Sequence, residues 1–169
     1  MYGFAAGDPV NYSDPFGLDV VFRGEEARWL FQRLKAQARV MSRDKEDKNT
    51  AAAGRQLMRM IRYLERMDEV LVIDTYKGNR TGTAWGFLGV NINADEYPNT
   101  QPTVLLAHEL GHAYHGLTTG DVMPGHLNPW SAHTRASVGF ENAARRYYGC
   151  SGNQPYWVIP DWFNTPACR

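Results

Sequence analysis

The sequence predicts an α+β fold in which amphipathic helices pack against a small β-sheet. Four stretches carry apolar residues at helical spacing, and two short stretches have the apolar or alternating pattern of strands. With 169 residues, the chain is long enough to bury a core as one folded domain. Its longest apolar runs fall far below the roughly 20 residues that a membrane-spanning helix needs.

The first two predicted helices lie in the basic part of the chain. One is expected to start at Glu25, and the second should run from about Thr50, as its N-cap, to Met67. Residues 23–66 hold twelve basic and six acidic side chains, so they carry a net charge of +6 against −6 for the remainder. We interpret these arginines as the solvated face of amphipathic helices, with a binding patch as the alternative.

Two strands are predicted in the middle of the chain. Residues 70–73 form a short apolar run, and residues 88–93 alternate apolar and polar side chains as a half-buried strand does. The Gly- and Thr-rich residues 78–83 between them are expected to form a turn.

The third and fourth helices are predicted in the second half of the chain. The third should span residues 103–117 and be ended by Gly116 and Gly120. The fourth should span residues 136–148 and stop at Gly149, because glycine readily leaves the helical conformation.

The third predicted helix contains the run His-Glu-Leu-Gly-His at residues 108–112. Two histidines four residues apart lie on one helix face, so His108 and His112 can both bind one tetrahedral zinc ion. Glu109 lies about 100° around the helix from His108, close enough to accept a proton from a zinc-bound water. Zinc lowers the pKa of that water to about 7 and so prepares it to attack a carbonyl. The motif predicts one zinc ion per chain.

A catalytic zinc ion needs a third protein ligand and leaves its fourth position to water. Glu141 is the leading candidate, because an acid beside the buried face of the fourth helix needs a partner such as a metal. His126 and His133 are the main alternatives, and Asp121 and His115 also stay open.

Further predictions concern the surroundings of this site. Tyr148, or its neighbour Tyr147, could donate a hydrogen bond to the oxyanion, the alternative being an aromatic that only packs. Arg145 could hold the carboxylate of Glu141 from one helical turn away, or lie at the surface. The strand at residues 89–93 could pair with an extended peptide substrate, or be an ordinary edge strand.

Residues 2–18, which end in Asp-Pro-Phe-Gly-Leu, resemble the end of the core of Rhs/YD-repeat proteins. In that family the segment joins a conserved shell to a variable C-terminal toxin, which is often released by self-cleavage. The resemblance implies a junction segment at 1–18, cleavage after Leu18 and a toxin domain at 19–169. It also implies delivery into a target cell by type VI or related secretion in interbacterial competition, with the Rhs shell and a cognate immunity protein as partners.

The run His-Glu-Leu-Gly-His-Ala-Tyr-His, followed by Val-Gly-Phe-Glu-Asn at residues 138–142, is similar to the NleD-like effector zinc metallopeptidases. This resemblance covers roughly residues 70–157 and implies a zincin-like fold with an HExxH active-site helix. It makes both motif histidines zinc ligands and Glu109 the general base. The match at Glu141 is looser, because residues 133–136 replace the acidic pair that many members carry before the Val-Gly step.

The expected function is therefore that of a secreted effector toxin acting as a zinc-dependent endopeptidase. Water activated by zinc and Glu109 would attack a peptide carbonyl of a protein in the target cell. The alternative is a non-peptidase toxin that binds nucleic acid or an anionic membrane through the basic helices of residues 23–66, and a zinc-stabilised binding module is a third possibility. The net charge of zero does not favour nucleic acid as a partner.

Overall fold

The structure, a computed structural model, describes residues 20–84, 87–120 and 132–149, with side chains in the last range described from residue 136. Within these ranges the chain forms four α-helices and a small mixed sheet, which confirms the predicted α+β class. The predicted junction segment at 1–18 lies outside the described residues. None of the described helices is long and apolar enough to cross a membrane.

Two helices lie between the first and second strands, and two more follow the fourth strand. The helices are α1 (Glu25–Ser42), α2 (Lys48–Leu64), α3 (Pro102–Thr119) and α4 (Ala132–Arg146). The strands are β1 (Val20–Arg23), β2 (Leu71–Asp74), β3 (Gly82–Thr83) and β4 (Gly89–Asn91). Each predicted helix is therefore present, with ends that differ from the predicted ones by a few residues.

The sheet has the order β1–β2–β4–β3, in which β1, β2 and β4 are parallel and β3 lies antiparallel at one edge. β3 lies within the residues expected to form a turn, because a strand of two residues shows no alternation that a sequence could reveal. β4 has β2 on one side and β3 on the other, where Thr83 pairs with Val90. The prediction that the strand at 89–93 lies at an edge or pairs with a substrate is thus wrong, because both of its edges are used within the sheet.

The α1–α2 pair shows how local chemistry sets a helix start. The carboxylate of Asp47 accepts hydrogen bonds from the Asn49 amide at 2.8 Å and from the Thr50 hydroxyl at 2.6 Å. Asp47 is therefore the N-cap of α2, and the prediction that Thr50 caps this helix is wrong. Aspartate caps at least as well as threonine, since its oxygen also accepts the amides of the first turn.

Helix α3 lies at the centre of the fold and packs against the other three helices and the sheet. It is buried on almost all sides, at Thr103 to Gly111 and at Ala113 and Gly116. Gly116 lies within α3 and does not end it as predicted. The ring of Phe87 lies over this glycine, where a Cβ atom would come within 2.4 Å of the ring. The helix ends at Gly120, whose φ of 69° is left-handed.

Candidate metal centre

The two motif histidines lie on one face of α3, where His108 is buried and His112 is partly buried. Their Nε2 atoms are 3.0 Å apart, and the ring centroids are 4.7 Å apart with the planes inclined by 75°. His108 is only 4 % exposed, so water has little access to its ring. The spacing of four residues thus brings two imidazole nitrogens to one point, as the motif predicts.

Glu141 reaches the same cluster from α4. Its Oε2 atom lies 2.8 Å from Nδ1 of His108, and its Oε1 atom accepts hydrogen bonds from Nε and Nη2 of Arg145 at 2.9 and 2.8 Å. The carboxylate is 1 % exposed and Arg145 is 4 % exposed. Of the two roles considered for Arg145, the structure shows the one in which it holds this carboxylate.

A glycine in the motif lets α4 approach this closely. A Cβ atom at Gly111 would lie 2.8 Å from the Cα atom of Ser137 and 2.9 Å from the ring of Phe140. Only a residue without a side chain leaves room for such a crossing. The close contact of α3 and α4 is what places Glu141 beside His108.

The buried pair shifts the pKa of each partner towards the charged form. Burial by itself would lower the pKa of His108, but the hydrogen bond and charge of Glu141, together with Glu109, outweigh it and raise that pKa above the ordinary value. Burial would likewise raise the pKa of Glu141, but His108 and Arg145 outweigh it and lower that pKa. Glu141 therefore lies as an anion between two buried cationic groups, His108 and Arg145.

Glu141 and His112 contact different nitrogens of the His108 ring. The carboxylate lies at Nδ1, whereas His112 lies at Nε2. Within the described residues, no group of three His, Cys, Asp or Glu side chains converges as a metal site. The structure thus brings the three predicted ligands into one cluster, with Glu141 on the far side of the ring from the meeting point of the two imidazoles.

Glu109 is held by the edge strand of the sheet. The Oγ1 atom of Thr83, on β3, lies 2.9 Å from the Oε2 atom of Glu109 and 2.9 Å from its main-chain oxygen. One hydroxyl carries one proton, so it donates to one of these oxygens at a time. The sequence gives no signal for this contact, because Thr83 lies in a stretch without periodicity.

An open cleft of about 1150 Å³ runs along the sheet next to this contact and is lined by Thr83, Asn91 and Tyr97, among others. Neither motif histidine lines it. Burial, Glu96 and then Glu109 raise the pKa of Tyr97, so its phenol keeps its proton at neutral pH. Tyr97 is a second residue near the predicted base that sequence reasoning does not identify.

The hydroxyl of Tyr148 forms hydrogen bonds with two other helices. Its hydroxyl is 2.8 Å from Nε2 of Gln37 and 2.8 Å from the hydroxyl of Thr103, at the beginning of α3. It therefore ties the end of α4 to α1 and α3. Its role as an oxyanion donor stays a prediction.

The structure describes only some of the alternative zinc ligands. His126 and Asp121 lie outside the described residues, as does the side chain of His133. His115 lies on α3, where its main-chain oxygen accepts hydrogen bonds from Thr118 and Thr119. Which residue completes a metal site thus stays open among these candidates and Glu141.

The described residues thus form an α+β fold in which His108, Glu109 and His112 lie on one central helix near an open cleft. Compared with known proteins, the chain matches no protein-family model, no curated protein and no solved structure.

Proposed function

We propose that the chain is a zinc-dependent endopeptidase of zincin-like architecture. The observation that carries the proposal is the approach of the Nε2 atoms of His108 and His112 to 3.0 Å on one face of α3. Two ligands about 2.0 Å from one tetrahedral ion lie about 3.3 Å apart, so these nitrogens need to separate by only a few tenths of an ångström. The two imidazoles therefore fit one zinc ion per chain.

The remaining groups of the site suit hydrolysis. A zinc ion held by the two imidazoles would act as a Lewis acid and lower the pKa of water to about 7. Glu109 accepts a proton from the attacking water and returns it to the leaving amine. The Thr83 hydroxyl restricts the rotation of the Glu109 carboxylate, so that the base is held in one orientation before substrate arrives.

Glu141 acts in this proposal through His108. A metal binds the neutral form of His108, and in that form Glu141 accepts a hydrogen bond from Nδ1–H and so leaves the lone pair on Nε2 for the metal. The direct ligation predicted from the sequence is the alternative, and it requires the carboxylate to leave Nδ1. In the first case the third ligand comes from the other candidates, His126, His133, Asp121 and His115.

The toxin part of the proposal is supported by the sequence resemblances of residues 2–18 and 108–142. On that basis the substrate is a protein of the cell into which the chain is delivered by type VI or related secretion. The Rhs shell and a cognate immunity protein are the partners that the same resemblance implies.

Elemental analysis of the purified chain tests the metal. We expect one zinc ion per chain in the wild type and in Glu109→Gln, and none in His108→Ala. Glu141→Gln separates its two roles: a direct ligand would lose zinc as His108→Ala does, whereas a partner of Nδ1 would keep zinc with about 10- to 100-fold weaker affinity. A wild-type chain that stays without zinc after reconstitution would overturn the proposal.

Mass spectrometry of protein N-termini in cells that produce the chain tests the activity. The wild type should create new N-termini, and Glu109→Gln should reduce their rate of appearance by about 10²- to 10⁴-fold with the fold retained. The same N-termini at the same rate from both forms would show that Glu109 is not the base.

A further inference from the structure

A cationic cleft lies between α1 and α2 and shares no residue with the candidate metal centre. It has a volume of about 410 Å³. Its lining consists of Lys35, Arg39, Ser42, Arg43, Met58, Arg62, Glu65 and Arg66. We call it the arginine cleft after its four arginines.

The arginine cleft carries positive charge that the described part of the chain does not neutralise. Five of its side chains are cationic and one is acidic, and that one, Glu65, forms an ion pair with Lys35. The four arginines form no ion pair with any described residue. Arg39 and Arg62 lie in the last turns of α1 and α2, whereas Arg43 is the C-cap residue of α1 and Arg66 lies two residues beyond the end of α2.

We propose that the arginine cleft binds a small polyphosphate anion, an activity separate from the proposed peptidase. Guanidinium groups bind phosphate oxygens through paired, charge-assisted hydrogen bonds and do so better than ammonium groups. From Lys35 to Arg43 the cationic row extends about 12 Å along α1, at 1.5 Å per residue. The volume of the cleft lies within the range of small-ligand sites, about 300–1,000 Å³.

The lining distinguishes this ligand from larger polyanions. Single-stranded nucleic acid binds through bases stacked on aromatic side chains, and no described aromatic residue lines the arginine cleft. Stable binding to a membrane surface usually combines cationic side chains with apolar ones that insert, and the apolar residue of the lining, Met58, is buried. The arginine cleft presents a short, concave row of guanidinium groups. This arrangement fits a compact molecule that carries several phosphates.

Calorimetric titration of the full chain with inorganic tripolyphosphate at low ionic strength tests the proposal. We expect saturable binding of one tripolyphosphate per chain. The double variant Arg39→Gln/Arg62→Gln should bind it at least about tenfold more weakly, because each change removes a charge-assisted pair of hydrogen bonds. The matched control is Arg55→Gln/Arg59→Gln, which removes the same charge from exposed positions of α2 outside the cleft and should bind within about twofold of the wild type.

A further control separates the arginine cleft from the metal centre. Tripolyphosphate chelates zinc, so the titration is repeated with His108→Ala, which should bind it as the wild type does. Binding that disappears in this variant would place the anion at the metal and overturn the proposal. The proposed peptidase activity is tested separately, because its experiments measure zinc content and new protein N-termini.

Three other results would also overturn the proposal. One is a wild-type chain that does not bind tripolyphosphate, and the second is an equal loss in the cleft variant and its matched control, which would indicate unspecific charge attraction. The third is tighter binding of a short oligothymidylate than of tripolyphosphate, with the same dependence on Arg39 and Arg62. That result would assign the cleft to nucleic acid.

Discussion

The α1–α2 and α3–α4 pairs both depend on a glycine at the crossing, but they use the close approach differently. A Cβ atom at Gly54 would lie 2.3 Å from the amide nitrogen of Ser42, and one at Gly111 would lie 2.8 Å from the Cα atom of Ser137. Between α1 and α2 the buried side chains are mainly apolar, and the Lys35–Glu65 ion pair is partly exposed. Between α3 and α4 it buries His108 and Glu141.

The two helix pairs differ in whether their charged side chains have partners. In the α3–α4 pair the buried groups compensate one another, since Glu141 contacts both His108 and Arg145. In the α1–α2 pair the arginines of the cleft have no acidic partner among the described residues. In the first arrangement the buried carboxylate contacts two cationic groups, whereas the second leaves positive charge available to the ligand that we propose.

Removing one acid from each pair should give the largest contrast. Glu141→Ala leaves Arg145 buried without its carboxylate, so we expect the free energy of unfolding of the metal-free chain to fall by about 3–5 kcal/mol. Glu65→Ala removes the partner of Lys35, whose side chain is 17 % exposed, and should cost about 1 kcal/mol. Urea unfolding of both variants measures the difference, and equal losses would contradict the contrast.

Filling the two crossings should destabilise both pairs but disturb only one site. Gly54→Ala and Gly111→Ala should each lower the free energy of unfolding by about 2 kcal/mol, because the strain exceeds the gain in helix propensity. Only Gly111→Ala should also weaken zinc binding, since it displaces the helix that carries Glu141. Gly139→Ala is the matched control: its Cβ atom would meet its nearest neighbour at an ordinary 3.6 Å, so stability should not fall.

Tyr148→Phe tests which of two roles its hydroxyl has. The hydroxyl lies 2.8 Å from both Gln37 and Thr103, so its loss should cost about 1 kcal/mol of stability and leave the rate of peptide cleavage unchanged. Unfolding and cleavage are measured on the same preparation. A cleavage rate that falls while stability does not change would instead support the predicted role of Tyr148 as an oxyanion donor.

The smallest effect is expected at the exposed N-cap of α2. The hydrogen bonds from Thr50 and Asn49 hold the pKa of Asp47 below its ordinary value. The carboxylate therefore stabilises the fold above its unfolded pKa of about 3.9, and this contribution is lost as the pH falls through the lowered folded pKa.

Asp47→Asn keeps the cap without a titrating group, so its Tm should depend less steeply on pH in this acidic range than that of the wild type. At pH 7, Asp47→Ala should lower Tm by about 3 °C. Identical pH profiles for the wild type and Asp47→Asn would contradict this account.

Local patterns determined the elements with the strongest periodicity. Helix α1 begins at Glu25 as predicted, and the spacing of His108 and His112 by itself fixes that both lie on one face of α3. Such features depend on residues only a few positions apart, so their periodicity can be seen in the sequence. The resemblance to zinc metallopeptidases leads us to expect zinc ligation by the two motif histidines and, with a looser match, by Glu141.

Only the tertiary structure decided which distant groups meet at the motif. Thr83 joins Glu109 because a two-residue strand pairs with β4, and Glu141 reaches Nδ1 of His108 because Gly111 admits α4. Both contacts depend on how closely separate elements approach, within about an ångström, and no periodicity along the chain encodes that distance. The sequence thus determined the helix face on which chemistry is proposed, whereas packing decided which atoms surround it.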